Sequence, residues 1–125
     1  MLYLPPTTLA YKKARNNTAK FITKSTVILY KNNDFFGLPE ENTYIGITIS
    51  KRSVSKAVKR NKIKRRYKAI IREYLQNYKL PNLTVILIAR AQISNFSFED
   101  LQKEILNNLN KIKQQHYKVI IDGRS

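Results

Sequence analysis

A strand–helix–strand segment in the middle of the chain constrains the fold most. Thr43–Ser50 alternates isoleucine with small or polar residues, which predicts a strand that packs one face against a core. Leu83–Arg90 is almost continuously apolar, as expected for a central strand that is covered on both faces. Ser53 or Ser55 is expected to cap the helix that joins these two strands.

The flanking segments add further elements around this unit. Thr26–Tyr30 is rich in β-branched residues and predicts another strand, and Ser97–Asp100 has the spacing of a capping box that opens a last helix. Tyr117–Ile121 is expected to form a short strand or a tail, and residues 1–20 an irregular segment or a short helix. The prediction is one α/β (α+β) domain over residues 1–125, a two-layer sandwich with a central mixed sheet of about four strands and two or three helices.

The predicted helix, over residues 51–78, is strongly basic. Its part Lys51–Arg72 holds eleven Lys or Arg residues in twenty-two positions and no acid, in a chain of net charge +16. Like charges three or four residues apart destabilise an isolated helix, and phosphates on more than one side offset that repulsion. An ordinary solvated face interleaves Glu with Lys, and a membrane-surface helix carries large apolar residues opposite its charges. This segment does neither, which favours a nucleic-acid partner and no membrane.

The composition removes several other classes of function. The chain has no cysteine, which excludes disulfides, thiolate metal sites and cysteine nucleophiles. Its longest apolar runs are too short to span a bilayer, and its N-terminus lacks the pattern of a secretory signal. A cytoplasmic location is therefore expected.

No set of residues predicts a protein active site. The only histidine, His116, is expected at the surface near the end of a polar helix. Glu99, Asp100 and Glu104 fall in the first turns of the last helix, where they favour the helix dipole, and Glu73 is expected to pair with nearby Lys or Arg. A protein nuclease with two metal ions needs carboxylates that converge from separate elements. No catalytic residue, no protein metal site and no small-molecule substrate is predicted.

Several motifs in order give the sequence a specific resemblance. Ala57–Arg66 is similar to the signature helix of bacterial ribonuclease P proteins. Gly46–Arg52 resembles the strand that precedes that helix in the family, and Val85–Arg90 resembles the family's central strand. Ser97–Leu101 resembles the start of its final helix. The resemblance extends over about residues 43–112.

This resemblance implies a fold and a function. The fold is a sandwich like the second domain of ribosomal protein S5, with a left-handed βαβ crossover, although most such crossovers are right-handed. The function is that of the non-catalytic protein subunit of ribonuclease P, a ribonucleoprotein endonuclease whose RNA subunit removes the 5′ leader of precursor tRNA. The implied partners are ribonuclease P RNA and precursor tRNA. The implied cofactor is magnesium, bound mainly by the RNA.

The resemblance also implies roles for individual residues. It maps RNA-contacting positions of the signature onto Arg60, Asn61, Lys62, Lys64, Arg65 and Lys68, and the positive charge of the segment adds Lys56, Lys59 and Arg66. A cleft that binds the leader is expected to include Tyr11, Ser50, Lys51, Arg52 and Arg90. The family presents a pair of phenylalanines in its first helix. Tyr11 is expected to replace one of them, because a phenol ring can also stack on a base.

Charge alone leaves binding modules of other classes open. A generic ribosomal-type RNA-binding protein shares the basic surface, and only the ordered motifs separate it from the family above. A helix-turn-helix DNA reader needs a second short helix across its recognition helix, whereas strands flank the basic helix here.

Overall fold

The computed structural model describes residues 2–4 and 19–122, which contain five strands and two α-helices. The strands are β1 (Leu2–Leu4), β2 (Ala19–Ile22), β3 (Thr26–Lys31), β4 (Thr43–Thr48) and β5 (Leu83–Ala89). The helices are α1 (Ala57–Asn77) and α2 (Phe98–Asp122), and two short 3₁₀ helices cover Asn33–Phe36 and Ala91–Asn95. Tyr11 lies outside the described residues.

The sheet is mixed, and its strand order is β1-β4-β5-β3-β2. Its central strand, β5, is parallel to β4 and antiparallel to β3, and every residue of β5 except Ile88 is buried. This confirms the central position that the continuous apolar run predicted. Because α1 connects two adjacent parallel strands, it is the crossover of a βαβ unit. The left hand of that crossover stays a prediction of the family resemblance.

Both helices pack on one face of the sheet, which confirms the two-layer architecture. Tyr67 and Ile70 of α1 and Ile105 of α2 are fully buried in a core that they share with residues of β3, β4 and β5. The alternating isoleucines of β4 face this core, as predicted. A smaller cluster centred on Leu29 and Ile86 lies on the other face. Neither of the described helices is long and apolar enough to cross a membrane.

Three segments near the ends of the chain differ from the prediction. Leu2–Leu4 and Ala19–Ile22 are strands at the two edges of the sheet, where the pattern predicted an irregular or helical segment over residues 1–20. These strands are three and four residues long, which is too short for a local periodicity to reveal them. Pairing with β4 and β3 stabilises them instead. α2 continues to Asp122, so the segment expected to form a terminal strand or tail is helical.

A buried polar network joins both helices to the turn between β2 and β3. The Tyr67 hydroxyl lies 2.7 Å from Thr26 Oγ1, and Ser25 donates its hydroxyl and its backbone N–H to Glu104 Oε1 at 2.7 and 3.1 Å. Burial raises the pKa of Tyr67. Partial burial opposes ionisation of Glu104, but hydrogen bonds from Thr23 and Ser25 outweigh it and lower the pKa of that carboxyl group. The network therefore fixes the position of α2 on the sheet.

Two further titratable side chains, one buried and one exposed, connect separate elements of the fold. His116, predicted at the surface, is 4 % exposed, and its Nε2 lies 2.9 Å from the carbonyl oxygen of Pro81. The helical pattern misplaced this residue because the loop before β5 folds over it. Glu73 accepts a hydrogen bond from the side-chain amide of Gln102 at 2.9 Å, which links α1 to α2.

Candidate RNA interface

A tight turn precedes α1 and replaces the first turn of the predicted helix. Ser50 Oγ accepts the backbone N–H of Ser53 at 3.1 Å, and the Ser50 carbonyl oxygen accepts that of Val54 at 3.0 Å. Val54 is buried, and α1 begins three residues later. The prediction of a helix over residues 51–78 that is capped by Ser53 or Ser55 is therefore wrong at its N-terminus, because Ser50 closes a separate turn.

α1 presents one apolar stripe to the core and leaves cations on the rest of its surface. Its buried residues are Ile63, Tyr67, Ile70, Ile71 and Tyr74. We call its exposed basic residues the cationic face: Lys59, Lys62, Lys64, Arg65 and Arg72. Asn61 is exposed among them, and the exposed cations of the preceding turn are Lys51, Arg52 and Lys56.

The N-terminus of α1 adds to the positive potential of this surface. The first turn contains no acid, and among the described residues no side chain caps it. The unpaired backbone N–H groups of a helix start carry a partial positive charge, which favours anions and disfavours the lysines nearby. The surface is therefore electrostatically unfavourable on its own and complementary to a polyanion.

Three of the predicted RNA-contacting side chains lie at the borders of the cationic face. Arg60 donates to two carbonyl oxygens of the turn before α1. Arg66 Nη1 lies 3.4 Å from the carbonyl oxygen of Phe96, and Lys68 Nζ lies 4.8 Å from the centre of the Tyr3 ring. The structure thus divides the predicted set into an exposed group and a group that contacts other segments of the protein.

Four described residues of the predicted leader cleft lie at one end of the sheet: Ser50, Lys51, Arg52 and Arg90. The parallel register pairs Thr48 with Ile88. Ser50 and Arg90 follow these residues by two positions, so both leave the sheet at the same end. The turn that carries the exposed cations before α1 begins there too. Two of the motifs that resemble the family therefore meet in space, although Ser50 and Arg90 are forty positions apart in the sequence.

Arg90 is held against the neighbouring turn between β2 and β3. Its Nη1 donates to the carbonyl oxygen of Thr23 at 2.7 Å, and its backbone N–H donates to that of Ser25 at 2.8 Å. These bonds place the exposed Lys24 at the same end of the sheet. Tyr11, the predicted aromatic of the cleft, is outside the described residues.

Sequence reasoning missed two cations of this surface. Arg72 lies seven residues, or about two helical turns, after Arg65, so it extends the cationic face. The seven-residue spacing was the available signal. Lys24 carries no such signal, because only the antiparallel pairing of β3 with β5 brings its turn to this end of the sheet.

The described surface offers exposed cations and no carboxylate cluster that could hold a metal ion. A cleft of about 630 Å³ beside the start of α2 is lined by acids and lysines together, including Asp100, Glu104, Lys24 and Lys103. Glu104 already accepts two hydrogen bonds from Ser25. Within residues 2–4 and 19–122, no three Asp, Glu or His side chains converge to hold a metal ion. This arrangement can bind and orient a polyanion.

Comparisons with known proteins identify the relatives of the chain. The family model for ribonuclease P matches residues 7–113. The ribonuclease P protein component of Pseudoalteromonas translucida is 29 % identical over 84 % of this chain and 70 % of its own length. That of Syntrophomonas wolfei is 31 % identical over 81 % of this chain and 76 % of its own. The Staphylococcus aureus RNase P protein has the same fold, with a TM-score of 0.73 and 20 % identity over 89 % of this chain and 94 % of that one.

The match extends from the N-terminal region through the basic helix to α2, so it includes every motif that carried the resemblance. The match also argues against a generic ribosomal-type protein, because both relatives are ribonuclease P protein components. The chain therefore belongs to the ribonuclease P protein family, whose members are the protein subunit of the ribonucleoprotein endoribonuclease that matures the 5′ end of tRNA.

Proposed function

We propose that the cationic face of α1 binds ribonuclease P RNA and that the chain thereby supports removal of the 5′ leader from precursor tRNA. One observation carries this proposal: residues 51–72 contain no acid, and eight of their Lys and Arg side chains are exposed. Such a surface gains free energy when it displaces the counterions of a nucleic acid. Because the chain belongs to the ribonuclease P protein family, the proposed nucleic acid is ribonuclease P RNA.

The spacing of the cations suits a backbone that passes over the helix. Lys59, Lys62 and Arg65 follow one another at intervals of three residues, each about 4.5 Å further along the axis and about 60° around it. They therefore cover a broad arc and can reach phosphates on two sides of the helix. Double-stranded RNA is recognised mainly through its shape and phosphates, which such an arc fits.

We propose that the 5′ leader of precursor tRNA contacts the end of the sheet where Ser50 and Arg90 emerge. Lys51 and Arg52 supply charge for its phosphates there. Tyr11 supplies a ring for stacking on a base, a role that rests on the family resemblance. The leader site and the cationic face are adjacent, because the turn that begins at Ser50 leads directly into α1.

Magnesium and location belong to the same proposal. The ions required for cleavage are held mainly by the RNA, and the lack of a carboxylate cluster among the described residues supports this assignment. The contribution of the chain is then electrostatic and positional: it neutralises phosphates and aligns the substrate. The proposed location is the cytoplasm, which suits a chain without cysteine.

A reconstitution tests the proposal. The full chain is mixed with a bacterial ribonuclease P RNA, and cleavage of precursor tRNA is measured at low magnesium, with RNA alone and protein alone as controls. We expect cleavage only in the mixture. A mixture that cleaves no faster than RNA alone contradicts the proposed function.

A pair of variants with equal net charge connects that activity to the surface. K62E/R65E reverses two charges of the cationic face, and K103E/K111E reverses two exposed charges on α2. We expect the first variant to lose most of the stimulation of cleavage and the second to keep it. If both variants lose the same share of the stimulation of cleavage, the RNA contact does not lie on the cationic face.

A further inference from the structure

The side chain of Arg60 is directed away from the cationic face and contacts the turn that precedes α1. Its Nη1 donates to the carbonyl oxygen of Val54 at 2.9 Å and to that of Ser55 at 2.7 Å. Arg60 is half-buried, whereas its neighbours Lys59 and Lys62 are exposed. One nitrogen thus holds two backbone groups that come before the helix begins.

The turn before α1 needs such a contact. Its other described restraints are three hydrogen bonds of Ser50 and the burial of Val54, which is 3 % exposed. Ser50 Oγ donates to Ser53 Oγ and accepts the backbone N–H of Ser53, and the Ser50 carbonyl oxygen accepts the backbone N–H of Val54. Lys56 adopts an extended backbone at the helix start, and within the described part of the chain its side chain makes no capping bond. The carbonyl groups of Val54 and Ser55 precede the helical ladder, so they depend on a side chain or water for a partner.

Arginine is chemically suited to this task. Its guanidinium is planar and always charged, and each terminal nitrogen carries two N–H groups in a fixed geometry. A charged donor makes a stronger hydrogen bond to a carbonyl oxygen than a neutral one. The ammonium of lysine is strongly hydrated and sits on a flexible stem, so it cannot hold two adjacent carbonyls in the same way.

We propose that Arg60 is a positioning residue: it holds the turn over residues 50–56 in the shape that presents Ser50, Lys51 and Arg52 to RNA. This inference rests on the proposed function for the identity of the RNA and on geometry alone for the bracing. The other cations of α1 then neutralise phosphates, and Arg60 acts through the turn. Its two bonds link the cationic face to the leader end of the sheet.

Amide hydrogen exchange on the free full-length protein tests the bracing. In R60Q, the amides of Ser53 and Val54 should exchange at least about tenfold faster than in the wild-type protein, because the bonds that restrain the turn are lost. In the matched variant K62Q, they should exchange at the wild-type rate. Amides of the central strand, such as that of Val85, report global unfolding and should be unchanged in both variants.

Two results of this experiment overturn the proposal. Unchanged exchange at Ser53 and Val54 in R60Q means that Arg60 does not restrain the turn. Equal acceleration at Val85 means that Arg60 contributes only to global stability. RNA is absent from the measurement, so neither result depends on whether the chain binds ribonuclease P RNA.

The conservative variant R60K separates positioning from phosphate binding. It keeps the charge but cannot reproduce the double contact, so its affinity for ribonuclease P RNA at a fixed salt concentration should fall about tenfold, close to that of R60Q. A direct phosphate contact predicts that R60K binds nearly as tightly as the wild-type protein, which contradicts the proposal. Weak binding by the wild-type protein itself would reject the proposed function, and hydrogen exchange would still decide the role of Arg60.

Discussion

Neutralising two cations on the cationic face should change the salt dependence of RNA binding by a calculable amount. Lys62 and Arg65 are exposed, three residues apart on α1, and the structure gives them no bracing contact with a backbone carbonyl among the described residues. Each phosphate contact contributes about 0.7 to 0.9 to the slope of log K against log salt concentration. K62Q/R65Q should therefore reduce that slope by about 1.4 to 1.8. Between about 50 and 200 mM salt, its affinity should fall about tenfold less than that of the wild-type protein.

Equilibrium titrations measure this directly. Labelled ribonuclease P RNA is titrated with the full chain at several salt concentrations, and the slopes for the wild-type protein and K62Q/R65Q are compared. The control is K103Q/K111Q, which removes the same net charge from exposed positions on α2. Its slope should match that of the wild-type protein, because those lysines lie outside the cationic face.

Two outcomes would refute the reasoning. If the slope of log K against log salt concentration is the same for the wild-type protein and for K62Q/R65Q, these side chains neutralise no phosphate. Equal changes in slope for K62Q/R65Q and K103Q/K111Q would mean that net charge governs binding and that the position of the cations on α1 is irrelevant.

Three further substitutions test the scaffold through urea unfolding. Glu104→Gln should lower the free energy of unfolding by about 1 kcal/mol at neutral pH. Folding lowers the pKa of Glu104 from its ordinary value of 4.5, so the carboxylate stabilises the fold above pH 4.5. The difference in free energy of unfolding between the variant and the wild-type protein should therefore shrink as the pH falls below 4.5. A difference that does not change with pH contradicts this account. Asn33 is fully buried and its amide donates to two carbonyl oxygens at 2.7 and 2.6 Å, so Asn33→Ala should cost about 3 kcal/mol, and a loss well under 1 kcal/mol would show that water replaces the amide. Tyr67→Phe should cost about 1 kcal/mol, because it removes one of the two hydroxyl partners of the buried Thr26 hydroxyl and leaves only that of Ser25, and an unchanged midpoint would contradict that account.

Features with a local periodicity were predictable from the sequence. The alternation in Thr43–Ser50 and the continuous apolar run of β5 depend only on which faces of a strand are covered. Ser97 caps α2 as its spacing predicted, since its Oγ accepts the backbone N–H of Asp100 at 3.1 Å. The cationic face follows from the absence of acids over residues 51–72.

Features that depend on distant partners were not predictable. β1 is a strand only because it pairs with β4, and the burial of His116 depends on the loop that contains Pro81. The start of α1 was placed several residues too early, because Ser53 and Ser55 are good cap residues, whereas the helix begins after Lys56, whose side chain makes no capping bond with any described residue. Burial of Val54 in the core and the separate turn that Ser50 closes keep the residues before Ala57 out of the helix.

The basic residues of this chain divide by side-chain chemistry as well as by position. Arg60 and Arg90 donate to backbone carbonyl oxygens of adjacent turns at 2.7–2.9 Å, while most exposed cations of α1 and its preceding turn are lysines. A guanidinium can hold fixed backbone groups, and an ammonium on a flexible stem can follow a hydrated phosphate. Counting charges therefore overstates how many of them contact RNA. The bracing arginines shape the surface, and its exposed cations neutralise phosphates. A loss of either kind should therefore weaken binding, but only the loss of a neutralising cation should directly reduce the salt slope of binding.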